Sequence, residues 1–394
     1  MKTNFYQTLQ LPTSKFFLLF WFFMGMTNIT IGQITSTASG DWYNAGTWNA
    51  GVVPGPSDNV VINTVVYSNA VITRNAGTTT TITASGNLGV GAEYTNNGTT
   101  TINGSFQINN GGFANGNLFT YGAIGTLIFN SEVNDGVNGD SYWPESDGPK
   151  NVTVNYNGGI TMNVDRTVTG IFQTASYVNN GGRLTITGIG RINEHGGIHN
   201  SSLIWGSTST LIYYTNSNPF NRGYEWNGGT NPANVQLSNN TNLNYPSGGL
   251  TARTITGNLT IDANSTFDMG YGSPETGVQQ LTVGNITLNG TLYLGNKNGG
   301  DLGISGNWTR NSNTGNFTHH DRAVFFIGNA TQLVAVNGTE LNKEIFAYLF
   351  AAGSGTLKLD ATDVEVTSAN GLTLSSSNSI STIDLNGRTL SLKG

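Results

Sequence analysis

Apolar positions in this chain come in short bursts. Short runs alternate apolar with polar or are β-branched, and most are bounded by Gly, Asn or Ser. Val60–Ile62, Thr79–Ile82, Thr99–Ile102, Ser105–Ile108, Thr126–Phe129, Asn151–Asn155, Arg183–Thr187 and Ser209–Tyr214 have this form. So do Asn258–Ile261, Leu281–Leu294, Ala323–Ile327, Thr356–Leu359, Val364–Thr367 and Thr389–Leu392. A period of two bounded by residues that tolerate positive φ predicts strands and tight corners. No window sustains the helical apolar period. The class is all-β, either a series of sandwiches or a parallel β-solenoid.

Internal repetition favours the solenoid. Thr126-Leu127-Ile128-Phe129 recurs as Thr210-Leu211-Ile212-Tyr213 and as Ala323-Val324-Phe325-Phe326. Each is followed by a polar stretch, a second strand, a Gly corner and a run closing at Gly170, Gly257 or Gly371. The three units are of similar length, and the interval between the second and third is the longer, holding extra polar sequence around Asp268–Gln279. About three degenerate units are therefore expected over 76–394. Each coil would bury a few inward Val, Ile, Leu or Phe residues, with Gly and Asn at corners and Asn side chains bonding along the axis. Val133–Pro149 and Asn216–Pro232 are read as excursions leaving one side of the stack. The Thr78–Thr81 run suggests a threonine array, but such an array needs repetition on every coil, and the sequence spacing does not show it.

The ends of such a stack expose strand edges and need covering. Gly40–Ile62 carries Trp42, Trp48, Pro54 and Pro56 before the first strong strand. We read 33–75 as an N-terminal cap with the first strands: the tryptophans would cover the first coil, and the prolines, lacking N–H donors, would block strand addition. Upstream, Lys2 and Lys15 precede the apolar run Phe16–Met26, and Thr30 and Gly32 sit at signal-peptidase positions, so 1–32 reads as a secretory signal cleaved before Gln33. The run is shorter than the roughly 20 residues of a membrane span. Removing 1–32 leaves 14 basic and 22 acidic residues, a net charge of −8. With charged residues at 10% and no Lys/Arg cluster, nucleic acid is not an expected partner. The absence of cysteine removes disulfides, thiolate metal sites and thiol nucleophiles.

Two stretches carry a family resemblance. Gly40-Asp41-Trp42, Thr47-Trp48-Asn49, Val53-Pro54-Gly55 and Asp58-Asn59-Val60-Val61-Ile62 resemble the opening of surface and exported proteins of bacteria that use type IX secretion. They are also similar to the start of the extracellular family named for eight conserved glycines. Gly306-Asn307-Trp308-Thr309, Ala323–Gly328, Thr331-Gln332-Leu333, Leu372-Thr373-Leu374 and Asp384–Leu390 resemble the β-helical repeats of adhesin-like proteins from the same bacteria. The resemblance implies a right-handed parallel β-helix, a secreted or cell-surface location, and a C-terminal sorting domain beyond the last strand-like run. It implies no activity.

Candidate chemistry is sparse. His195 and His199 lie four apart with Glu194 adjacent, but Gly196 and Gly197 between them break the helical geometry a metal pair needs. His319-His320-Asp321 would alternate across a strand. Asp135, Asp140, Glu145 and Asp147 crowd one excursion beside Lys150, and Asp360, Asp363 and Glu365 form a second group; neither has calcium-loop spacing. No catalytic residue, metal site or cofactor is expected. Tyr142-Trp143 and Tyr224-Glu225-Trp226 occupy equivalent excursions, so Tyr142, Trp143, Tyr224 and Trp226 are candidate ligand-contact residues that could stack on sugar rings. The competing reading folds these rings back over the solenoid. The expectation is a non-enzymatic scaffold or adhesin-like protein contacting extracellular glycan or surface protein. A polysaccharide-binding or polysaccharide-degrading β-helix is the alternative.

Overall fold

The computed structural model describes residues 33–393 except 156–157, 217–218, 227–229, 246–252, 271–279, 340–342 and 375–381. The proposed signal segment, 1–32, lies outside the described residues, as does most of the polar insertion Asp268–Gln279. The chain forms a parallel β-solenoid of about fifteen stacked turns with almost no helix. Among the described residues every strand pairing is parallel, and each strand pairs with its counterpart one turn away. A regular coil contributes one strand to each of three faces. In one coil, Ile160–Met162 lies on the third face, Arg166–Val168 on the first and Ile171–Thr174 on the second.

Alternation within each strand sets which side chains meet inside. On the second face one inward column runs unbroken through the register: Val66, Leu88, Phe106, Leu127, Val152, Phe172, Gly190, Leu211, Val235, Leu259, Ile286, Trp308, Val334 and Leu359. The coils between these positions differ in length. They are shortest from Leu88 to Phe106 and from Phe172 to Gly190, and longest from Leu259 to Ile286. The repeating unit is therefore a single coil. Each unit read from sequence spans two successive turns, because Thr126 pairs with Asn151, Thr210 with Asn234 and Ala323 with Tyr348. Leu281–Leu294, expected as one strand, turns a corner at Asn289-Gly290 and contributes to all three faces.

Corners are tied along the axis by asparagine. Asn285 Nδ2 donates to Asn258 Oδ1 at 3.0 Å, and the Asn307 N–H donates to Asn285 Oδ1 at 2.8 Å. Asn258 N donates in turn to Asn234 Oδ1, and Leu333 N to Asn307 Oδ1. A second ladder joins Asn155 to Asn130 and Asn130 to Asn109. Threonines do recur on the first face, contrary to the sequence spacing: Thr79, Thr80 and Thr81 pair with Thr99, Thr100 and Thr101. The paired rows number only two, flanked by Asn59 and Val61 on one side and by Thr120 on the other.

Parallel pairing starts at Gln33, inside the segment 33–75 read as the cap with the first strands. After Gly40–Asp41 the chain leaves the three-strand pattern and crosses the open end. Trp42 and Trp48 are buried edge to face at 5.0 Å, and Trp48 Nε1 donates to the Trp42 carbonyl. The free edge of Gln33–Thr35 is occupied by antiparallel backbone: Ser36 bridges Trp48, Asn49 N donates to Thr35 O, and Thr37 N donates to Thr47 O. Edge protection thus comes from Thr47–Asn49. Pro54 is buried, and the Pro56 carbonyl accepts from Asn75 N beside the first third-face strand, Ile72–Arg74.

The interior is matched across faces as well as along columns. Trp205 on the first face reaches beneath Gly190 on the second, where an added methyl would lie 2.5 Å from the indole. Gly190→Ala is expected to destabilise by about 1–3 kcal/mol through overpacking against a rigid ring. Gly190→Ala combined with Trp205→Leu should recover part of that loss in thermal melts.

Candidate functional site

The two excursions share one structural origin. Each contains a third-face strand that stays in the stack, Asp135–Val137 and Phe220–Asn221. What leaves is only the remainder. Between Thr120–Tyr121 and Arg166–Val168 one coil lacks its first-face strand, and residues 138–149 run there as loop. Between Ile204–Trp205 and the start of Arg253–Ile261 the same face lacks a strand among the described residues, and the short 3₁₀ turn Tyr224–Trp226 stands in its place.

A missing strand leaves an apolar gap, and aromatic rings fill it. Trp143 is fully buried, 6.0 Å from the Phe129 ring, and Tyr142 is 3% exposed against the same Phe129. The Tyr142 hydroxyl donates to Asp140 Oδ2 at 2.8 Å, and Tyr121 donates to the Tyr142 carbonyl. Burial first, then the adjacent Asp140 charge, pushes the Tyr142 phenol far above its ordinary range. Trp226 is likewise fully buried, against Tyr245 and Phe267. Only Tyr224 of the four candidate residues is exposed, at 41%. Tyr142, Trp143 and Trp226 are therefore interior side chains, and the folded coil offers none of their faces to a sugar. The sequence shows that rings occupy these loops, but the loops lack the alternation that would reveal which way the rings point.

The other candidates also have structural partners. His199 stacks on Tyr177 at 4.3 Å, and burial lowers its pKa. His195 sits in a corner at positive φ. His320 stacks on Tyr293 while its Nδ1 lies 3.0 Å from the Leu294 carbonyl, and burial lowers the neighbouring His319. Among the described residues no three His, Asp or Glu side chains converge as a metal site. Glu365 bridges Lys343 and Lys393 at 2.6 Å each, and those two hydrogen bonds lower its pKa. Glu225 is buried and raised by burial, and it accepts from the Tyr213 hydroxyl and Gly223 N–H.

Each strandless coil also leaves a lateral cleft. The first, about 440 Å³, is lined by Leu118, Pro144, Glu145, Asp165, Arg166 and Arg183, at the corner leading into the first face. Arg166 is 6% exposed, and its Nη1 donates to the Asp165 carbonyl at 2.6 Å. Burial lowers its pKa, while Glu145 and Asp140 oppose that shift. Arg183 pairs with Asp165 at 3.2 Å. The second cleft, about 380 Å³, is lined by Trp205, Thr230, Pro232 and Thr254 beside the second excursion. Leu118, Arg166 and Arg183 are not among the candidates read from sequence; they precede or open short strands. Their one signal is the isolated Asp165-Arg166 pair in a chain so poor in charge.

Comparison with known proteins finds no matching family model, no matching curated protein and no matching solved structure. What the fold and clefts define is a class: a parallel β-solenoid scaffold with one interrupted face.

Two outcomes test this description. Trp143→Ala should cost about 3–5 kcal/mol of stability, whereas Trp143→Phe should cost about 1 kcal/mol or less, since the indole N–H has no acceptor to lose; chemical denaturation distinguishes them. Asp135, whose Oδ2 is buried without a partner, is raised from 3.8 to about 6 by burial, partly offset by Ser131. The fold favours its protonated form, so this contribution is complete below about pH 4 and lost as pH rises through about 6. Asp135→Asn should therefore raise the Tm at about pH 7.5, by a screened contribution of about 1 kcal/mol or less, and leave it unchanged at about pH 4.

Proposed function

We propose that this chain is an exported, surface-located scaffold, adhesin-like in role, that uses the interrupted face of its solenoid to contact extracellular glycan or protein and performs no chemistry. The observation that carries this reading is the placement of both clefts. They open where a first-face strand is replaced by a loop, so contact surface is added without breaking the inward columns. The candidate reactive groups support the same view, because their side chains serve packing and backbone satisfaction. Glu365, for example, receives Lys343 Nζ and Lys393 Nζ at 2.6 Å each.

Export and surface exposure are tested by expressing the full chain, segment 1–32 included, in its native host and probing intact cells with external protease. A chain protected from that protease overturns them. A glycan panel scored for both binding and product tests the rest: the expected outcome is retention without new reducing ends or unsaturated products. Turnover of any polysaccharide overturns the non-enzymatic reading in favour of a polysaccharide-degrading β-helix.

A further inference from the structure

We propose that the cleft around Arg166 is a binding site for a neutral hexose unit of a glycan; this rests on the reading of the chain as a glycan-contacting scaffold. Arg166 differs from the other buried arginines in how few protein partners it has. Other buried arginines use their donors on the protein. Arg74 reaches Thr80 Oγ1 and the Gly55 and Asp58 carbonyls, and Arg222 reaches the Tyr245 and Trp226 carbonyls. Arg166 makes one such bond, to Asp165 O. Its Nε is buried without a partner, and its Nη2 lies toward Gly139, which also lines the cleft. A guanidinium so deeply placed with a free donor is a fixed hydrogen-bond source at the cleft wall.

The groups around it mix donors, acceptors and apolar surface. Glu145 and Asp165 offer carboxylate acceptors, and Arg183 adds a further donor held by Asp165. Asp140 is also near enough to act on Arg166, and it is fixed by Tyr142 OH and Asn138 N. Adjacent hydroxyls of a sugar ring each donate and accept, so they can bridge a guanidinium and a carboxylate together. Leu118, Pro144 and Val164 supply an apolar wall for the C–H face of the same ring. Leu118 is 62% exposed, which is costly for a leucine with no partner but suited to one that covers a ring. The charge balance argues against an acidic sugar: Glu145, Asp165 and Asp140 outnumber Arg166 and Arg183, and the chain carries a net charge of −6. The volume fits one or two rings.

The experiment is titration calorimetry of the full chain with oligosaccharides of β-1,3-glucan, β-1,4-glucan and α-mannan, and with a uronate oligosaccharide of equal length. At least one neutral series should bind and the uronate should bind at least tenfold more weakly. Leu118→Asp and Glu145→Gln alter exposed side chains and should keep the thermal melt unchanged. The first should abolish binding and the second should weaken it about tenfold. Arg166→Lys, which retains charge but not the fork, should also weaken binding. If the uronate binds and the neutral sugars do not, the site is an anion site and the proposal is wrong. If neutral sugars bind but Leu118→Asp and Glu145→Gln leave affinity unchanged, glycan contact stands and its assignment to this cleft falls. If none of the four probes binds, the assignment of this cleft to a neutral hexose falls, and the broader glycan panel decides the scaffold reading.

Discussion

Everything in this molecule depends on axial register. A coil of the solenoid has no core of its own. Its inward side chains are buried only because the same positions of the coils on either side meet them, and its backbone groups are satisfied only by the neighbouring coils. The column from Val66 to Leu359 is that constraint made visible. A slip of one residue anywhere along it would turn an apolar set outward. Coil length is free to vary because corners and loops absorb the difference, but inward position is not. The asparagine ladders act on the same axis. An amide that both donates and accepts ties consecutive corners in register, which is why Asn258, Asn285 and Asn307 chain together where the second face begins.

That constraint explains how strands can be missing. Where 138–149 and Tyr224–Trp226 replace a first-face strand, the other two faces continue, the third of them through Asp135–Val137 and Phe220–Asn221. The volume left by the absent strand is taken by Trp143 with Tyr142, and by Trp226 with Tyr245. The N-terminal end solves the same problem with Trp42 and Trp48. In each place an indole fills the space that a strand's inward residues would occupy.

The strands of the second face were legible because they are mostly four or five residues long and alternate cleanly. Those of the third face are mostly missed: Ile72–Arg74, Ile160–Met162 and Tyr177–Asn179 have three residues each, too few for alternation to declare itself. The repeat was read at twice its true length because Thr126–Phe129 and Asn151–Val154 differ enough to look like different landmarks, although they are the same position on adjacent coils. For the site, sequence located the excursions, since polar runs with paired aromatics interrupt the strand pattern. It could not place Arg166 or Leu118, because a cleft assembled from successive coils joins residues that are distant in the chain, with no local motif between them.

Backbone satisfaction links the interruptions to the cleft. Removing a strand from a parallel ladder orphans carbonyls on its neighbours, and in a buried setting each must find a donor. The chain uses arginine for this. Arg74 serves Gly55 and Asp58 at the cap, Arg222 serves Tyr245 and Trp226, and Arg253 serves Trp226. Burying a guanidinium is unfavourable on its own, but one side chain carries five donors and so answers several carbonyls at once. At the break at 138–149 the buried arginine is Arg166, whose one carbonyl partner is its neighbour Asp165. There, however, the loop turns back through Phe119 N to Ser141 O and Trp143 N to Asp140 O, so backbone meets most of its own need. Arg166 is therefore buried for a structural reason and left with donors to spare. A binding contact at this corner would then require no new element of structure, only the unused donors of a side chain already needed to close the gap.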